Sequence, residues 1–304
     1  MDFIAELGST VRLFFFTLEH EPMMLYFTVG LVGLVVGSFL NVVIHRLPVM
    51  MFNELRQQCQ EYLSLSDDSC SEDKPKKFNL NTPGSHCPHC QHRICFWENI
   101  PILSYLFLAG RCSSCKTGIS FRYPLIEFFT AFLGLIVCWQ LGYGVSLIFV
   151  LIFTWALLAA SAIDFDHQLL PDQIILPLLW LGIIFNLFFQ GFTSLEASII
   201  GAIAGYLSLW SFYWIFKLFT GKEGMGHGDF KLLALLGAWL GWQALPTIIL
   251  LSSLVGSVIG VGLILILGRD KNIPIPFGPF LAGAGWLTLL WGTELQQLYF
   301  SIAF

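Results

Sequence analysis

Eight long apolar runs, separated by polar breaks, dominate the chain: 24–45, 124–141, 146–163, 174–190, 196–217, 231–246, 247–267 and 277–294. About 20 apolar residues in a helix cross the hydrocarbon core of a bilayer. Backbone groups in lipid need internal hydrogen bonds, and runs this long favour helices over barrel strands. The sixth run is short and bounded by Trp242 and Pro246, so its ends are soft. The pattern predicts an all-α polytopic membrane protein with about eight transmembrane helices. One polar stretch, 46–123, is long enough to form a module outside the bilayer. The expected organisation is an N-terminal segment with the first transmembrane helix (1–45), a cytoplasmic loop domain (46–123) and a seven-helix membrane domain (124–304).

Composition agrees with this reading. Of 304 residues, 56% are hydrophobic and only 12% charged, against about a quarter charged in soluble domains. The net charge of -5 adds little, because in membrane proteins the distribution of charge matters more than its sum. Asp2 and Glu6 precede the first basic residue, and no A-x-A-like site follows the apolar run, so the first span is expected to be kept as an anchor. No nucleic-acid partner is expected; the lipid bilayer is.

Basic residues orient the spans. The loops 46–123, 164–173, 218–230 and 268–276 carry nearly all the Lys and Arg, whereas the opposite side has only Arg12. Positive loops mark the cytoplasmic side, which would place both termini outside and both Asp164 and Asp229 at the cytoplasmic interface. Within the large loop, 53–82 is polar, with QQCQEYLSLSDDSCSEDKPKK at its centre, and reads as a flexible insertion with little core. Gly33 and Gly37, Gly201 and Gly205, Gly237 and Gly241, and Gly256 and Gly260 are small-residue pairs suited to close helix packing. No internal repeat stands out.

The loop holds two C-x2-C pairs, Cys87 with Cys90 and Cys112 with Cys115, separated by 21 residues. This spacing predicts a zinc-knuckle module with four thiolate ligands. Metal binding would supply folding energy that a segment this small lacks. Disulfides are disfavoured by the cytoplasmic placement; iron bound by the same four cysteines and redox thiols are the other readings. His86, His89 and His92 crowd the first pair and are expected to be surface residues. Cys59, Cys70, Cys95 and Cys138 lack pair spacing.

The sharpest chemistry lies in acids at the ends of apolar runs. A carboxylate near hydrocarbon is costly and is a functional candidate by default. Asp164 follows WALLAASAI, and Asp229 lies in Gly226-His227-Gly228-Asp229. Two such acids brought together could share a proton and activate a water. Each has a plainer reading. Asp229 can cap its helix, where the backbone dipole favours an anion; Asp172 can be an N-cap; Asp166 can be a solvated interfacial charge. Local physics puts Asp164 only modestly ahead of Asp166 and Asp172. His227 is expected to have no part in the chemistry.

Taken together, these residues resemble the type IV prepilin peptidases, the leader peptidase/N-methyltransferases of pilus and type II secretion systems. The resemblance covers nearly the whole chain. It rests on Gly37-Ser-Phe-Leu-Asn-Val-Val-Ile-His-Arg-Leu-Pro48, both cysteine pairs, Trp97-Glu-Asn-Ile-Pro101, Leu103-Ser-Tyr, Arg122-Tyr-Pro-Leu-Ile-Glu127, Ile163-Asp164 with Leu170-Pro171-Asp172, the GxGD at 226–229, and Pro276-Phe-Gly-Pro-Phe280. The polar insertion at 53–82 is longer than the family pattern. The resemblance implies Asp164 and Asp229 as the catalytic pair. It implies prepilins and pseudopilins with a short basic leader as substrates, cut after Gly at the cytoplasmic face. It further implies methylation of the new N-terminal residue by S-adenosylmethionine. Gly110 is the family-pattern position linked to methyl transfer, and it reads equally well as a turn glycine before a metal knuckle. Glu98, Asn99 and Glu127 are further polar candidates nearby. The acidic 164–172 loop, with Asp166 and Asp172, is expected to face the basic leader. The rival readings are a proton- or cation-coupled transporter using the two acids, an aspartic intramembrane protease that cuts within a span, and a metal-bearing scaffold without catalysis.

Overall fold

The structure, a computed structural model, describes residues 15–62, 78–222, 224–268 and 275–303. Among these, helices account for every apolar run: α1 (Pro22–Tyr62), α2 (Leu103–Phe107), α3 (Arg122–Leu141), α4 (Val145–His167), α5 (Asp172–Phe188), α6 (Leu195–Thr220), α7 (His227–Leu240), α8 (Leu245–Leu267) and α9 (Gly278–Ala303). No strand forms among the described residues; two isolated bridges lie in the cysteine module. Among the described residues five stretches, α1, α3, α4, α6 and Trp242–Ile266, are long and apolar enough to cross a membrane, and α5 is a shorter apolar helix. The protein is thus an all-helical membrane protein. It divides into two compact units, Met1–Leu147 and Ile148–Phe304.

In the first unit α1 and α3 run antiparallel. Gly30 faces Leu135, Gly33 faces Ala131 and Gly37 faces Glu127, and a Cβ added at Gly33 or Gly37 would come within 2.7 or 2.6 Å of a Cα on α3. Asn41 extends the same register by donating to the Tyr123 carbonyl at 3.1 Å. The helices therefore meet backbone to backbone, the close approach that small residues permit in lipid. The sequence ends the first helix near 45 and treats 53–82 as flexible; instead α1 continues to Tyr62. The segment Asn53–Tyr62 contains neither Gly nor Pro and is rich in Glu, Gln, Leu and Arg. Extending a helix already nucleated by an apolar span costs little for such residues. Residues 63–77 of the insertion, including Cys70, lie outside the described residues.

In the second unit α7 is the core. Phe230, Leu232, Leu233, Leu235, Leu236, Ala238 and Trp239 have no solvent exposure. Helices α5, α6 and α9 pack on it, and Phe153 of α4 meets Trp239 with ring centroids 4.6 Å apart. The sixth span, read as 231–246, is in fact His227–Leu240. It stops at Gly241, whose φ of 82° a side chain would resist. At 1.5 Å per residue its 14 residues reach about 21 Å, short of the roughly 30 Å hydrocarbon core. A helix walled in by protein need not span lipid, because its neighbours satisfy its ends. Asn186 donates to the carbonyls of Ala238 and Trp239 at 2.9 and 3.1 Å. Ser198 donates to the same Ala238 carbonyl. Trp239 fixes the last turn by donating to Leu178 at 2.9 Å. Gly201 and Gly237 let α6 and α7 touch through their backbones.

Candidate active site and metal centre

Asp164 lies inside α4, one turn before its end, because the helix runs past the predicted 163 to His167. Asp229 lies in the first turn of α7. Both side chains are buried, with 6% and 7% exposure. They come from helices far apart in sequence and are close enough to feel each other's charge. Asp164 Oδ2 accepts the backbone N–H of Gly278 at 3.0 Å. Gly278 opens α9, so an N–H with no partner inside its own helix is aimed at the carboxylate. Asp229 reaches back to the backbone of Gly226, the N-cap of α7, so the capping reading holds as well. Each acid therefore sits at the positive end of a helix: α9 for Asp164, α7 for Asp229.

Leu170 closes the site from below. A Cβ on Gly228 would meet Leu170 Cβ at 2.8 Å, and one on Gly278 would meet Leu170 Cδ1 at 3.3 Å and strike the Asp164 carboxylate. Both glycines are needed for the backbone to come this close. Sequence reasoning placed Gly278 in a motif but gave it no role. A glycine at a helix start directly after Pro-Phe was the available signal.

Other predicted residues separate. Asp172 does not cap α5: the N-cap is Pro171, and Asp172 occupies the first helical position. Its carboxylate is instead held by Lys231 Nζ at 2.8 Å from both oxygens, a partner on α7 that the sequence could not pair with it. Asp166 is exposed, as a solvated interfacial charge should be. His227 points into aromatic packing, with ring centroids 5.2 Å from Tyr213 and 5.4 Å from Phe230.

The cysteine module is built twice. Cys87 N–H donates to the His92 carbonyl and Gln91 N–H to the Cys87 carbonyl; Cys112 N–H donates to Thr117 and Lys116 N–H to Cys112 in the same pattern. Ile94 N–H to Ser85 is matched by Ile119 N–H to Gly110. The bridges His86–Arg93 and Arg111–Gly118 match as well, and Gln91 and Lys116 share a φ of 59°. The two halves repeat at an offset of 25 residues (Cys112 minus Cys87). The sequence did not reveal this repeat, because only the cysteines and Ile94/Ile119 are identical between the halves.

All four sulfurs lie within 4.8 Å of one another. Cys87 Sγ is 3.8 Å from Cys115 Sγ, and Cys90 Sγ is 3.9 Å from Cys112 Sγ. A disulfide needs about 2.05 Å, whereas thiolates about 2.3 Å from a tetrahedral ion stand about 3.8 Å apart. The cluster therefore fits a metal ion. Hydrogen bonds from the Thr117 hydroxyl, at 3.2 Å, and then from its backbone pull the Cys115 thiol down to about 6, whereas burial and the other three cysteines push the Cys90 thiol up to about 11, so without an ion the four sulfurs do not all favour the thiolate. The histidines stay outside the cluster: His86 contacts the Gly84 carbonyl and His92 faces Glu98 at 3.4 Å.

Gly110 has a φ of 67°, and a Cβ there would lie 2.9 Å from the Tyr105 ring. Turn geometry and packing require glycine at this position. Glu127 is buried on α3 and accepts the N–H of Ile102 at 2.8 Å. It thereby anchors the start of α2, where Ile102 has a left-handed φ of 58°. Glu98 closes a reciprocal cap at Cys95.

Residues 31–141 match the bacterial peptidase A24 N-terminal domain, and residues 151–261 match the type IV leader peptidase family. Proteins named prepilin leader peptidase/N-methyltransferase are close relatives. The one from Stutzerimonas stutzeri is 53% identical over 94% of this chain and 97% of its own. The Aeromonas hydrophila protein is 54% identical over 93% and 96%, and the Pseudomonas aeruginosa protein 53% over 94% and 97%. No solved structure matches. Identity at this level over nearly the full length of both chains, with the GxGD aspartate and a second acid both buried, places the protein: the chain belongs to the prepilin leader peptidase/N-methyltransferase family.

Proposed function

We propose that this protein cleaves the short basic leader of type IV prepilins and type II secretion pseudopilins after its terminal Gly. We further propose that it methylates the new N-terminal residue with S-adenosylmethionine, at the cytoplasmic face of the inner membrane. The observation that carries the peptidase reading is the meeting of Asp164 and Asp229, both buried and contributed by separate helices of the second unit. In the proposed mechanism one carboxyl is protonated and polarises the scissile carbonyl, and the other takes a proton from the attacking water. The proton belongs to the pair as a whole. The Gly278 N–H holds the Asp164 carboxylate in place through the cycle. The positive ends of α7 and α9 offset the cost of an anion near lipid. No covalent enzyme intermediate is needed, so serine and cysteine reagents are expected to spare cleavage.

Cys87, Cys90, Cys112 and Cys115 are proposed to hold a structural zinc ion, supported by the sulfur spacing and the thiolate-stabilising bonds at Cys115. The ion would lock the two half-modules together. The methyl donor is assigned to the same unit through Gly110. That assignment rests on family pattern, since the glycine's backbone and the Tyr105 contact account for it without a ligand. The transporter alternative finds no support in the named relatives, which bear peptidase names.

The test is mass spectrometry of a full-length prepilin incubated with purified enzyme in detergent, with and without S-adenosylmethionine, using wild type and Cys112→Ser. Cleavage after the leader Gly without any ion gradient, and a single methyl group on the new N-terminus only when the donor is present, are the expected results. A cut inside the apolar segment, or turnover only with a gradient, would favour the intramembrane-protease or transporter reading.

A further inference from the structure

The Asp172–Lys231 ion pair lies close in sequence to both acids, and their chemistry does not use it. Lys231 follows Asp229 by two positions on α7. Residues at i and i+2 of a helix point to different sides, so Lys231 faces away from the acids and meets Asp172 at the first position of α5. Residues 168–171 connect α4, which carries Asp164, to α5. Within this strap Gln168 adopts a φ of 52°, and Leu170, 8% exposed, wedges between Gly228 and Gly278.

The C-terminal end of α7 is fastened by Asn186, Ser198 and Trp239. Its N-terminal end packs His227 and Phe230 on Tyr213 of α6, contacts that lie away from the strap. What ties that end to the strap is Leu170 and the ion pair. We propose that Asp172 and Lys231 are positioning residues, a clasp that fixes the first turn of α7 against the strap and so sets the separation of Asp164 and Asp229. The inference rests on the two-acid reading of the site.

The side chains of the pair are 34% and 47% exposed, and exposed pairs contribute little to global stability. Its removal should therefore leave the fold intact and act on the chemistry, where a displacement of about 1 Å can cost about 100-fold in rate. The competing reading, that Asp172 attracts the basic leader of the substrate, predicts a rise in KM.

The experiment measures kcat and KM for prepilin cleavage with Asp172→Asn, Lys231→Met, the double variant and Asp172→Glu. Asp164→Asn and Asp229→Asn run in parallel, and thermal unfolding is recorded for each. The clasp predicts kcat about 10- to 100-fold lower in Asp172→Asn and Lys231→Met, with KM within about twofold. The double variant should be no slower than the slower single, and Asp172→Glu, which keeps the charge, should recover most of the rate. Asp172→Asn is isosteric and half-exposed, so it folds even if Lys231→Met does not accumulate. Unchanged kcat, a defect confined to KM, or multiplicative losses in the double variant would overturn the clasp. If the amide variants at 164 and 229 abolish cleavage while the clasp variants do nothing, only the clasp fails; if those amide variants cleave normally, the underlying site reading fails first.

Discussion

The cysteine module and the carboxylate site reach a defined geometry by opposite means. In the module, side chains of hydrophobic residues stay largely outside: Leu106 is 67% and Phe107 85% exposed, while Cys87 and Cys112 are the buried members. Order there comes from a duplicated set of backbone hydrogen bonds that aims four sulfurs at one point. At the acids the reverse holds. Asp229 lies in the first turn of a helix that is buried from there to Trp239 except at Lys231, and two glycines bring backbone against Leu170 and Asp164. One region is arranged to take rigidity from a metal ion, should one bind; the other draws it from packing. Where the core is thin, clustered ligand atoms stand ready to substitute for it, and where two acids are brought together, helix N-termini and close backbone packing hold them.

Stripping the ion breaks the comparison most forcefully. Structural four-ligand zinc sites are worth about 10–16 kcal/mol in apparent binding energy, so chelation or Cys112→Ser should unfold 85–119, read as rapid hydrogen exchange and protease cutting there. The amides of α7 should stay protected. Equal deprotection in α7 would mean that the two regions do not depend on different forces. Next in size is Trp239→Ala, expected to destabilise the second unit by about 3–5 kcal/mol through the cavity it leaves, seen as a lower unfolding midpoint with metal content unchanged. Smaller still is Gly278→Ala. The added methyl would strike the Asp164 carboxylate and Leu170, so cleavage should fall about tenfold or more while the unfolding midpoint barely moves. A wild-type rate would show that Gly278 does not hold Asp164.

Much of this arrangement was legible in the sequence. Apolar periods placed a helix at each of the eight runs, and paired cysteine spacing picked out the four cysteines whose sulfurs cluster, because both signals are local. The end of α1 was missed since a segment rich in Glu and Gln looks like a loop when the span before it is ignored. The shortness of α7 was missed since hydropathy does not report whether neighbours are lipid or protein. Asp172 was read as a cap because its partner, Lys231, lies 59 positions away. Asn186 carried no local signal, and Gly278 only its place after Pro-Phe at a helix start; their roles exist only where distant helices meet. The choice of Asp164 over Asp166 rested on family resemblance, and burial of the first beside exposure of the second gives it a physical basis.

The most direct test of the central claim, that Asp164 and Asp229 act as one catalytic unit, is single-turnover cleavage of a prepilin by Asp164→Asn, Asp229→Asn and the double variant. Acid–base residues typically contribute about 10²–10⁴-fold each, and groups that act together lose that factor only once. The account predicts that all three variants fall to the same residual rate while remaining folded and, with a cleaved pilin supplied, still able to methylate it. Full-speed cleavage by either single variant, or a double variant whose loss is the product of the two single losses, would contradict it.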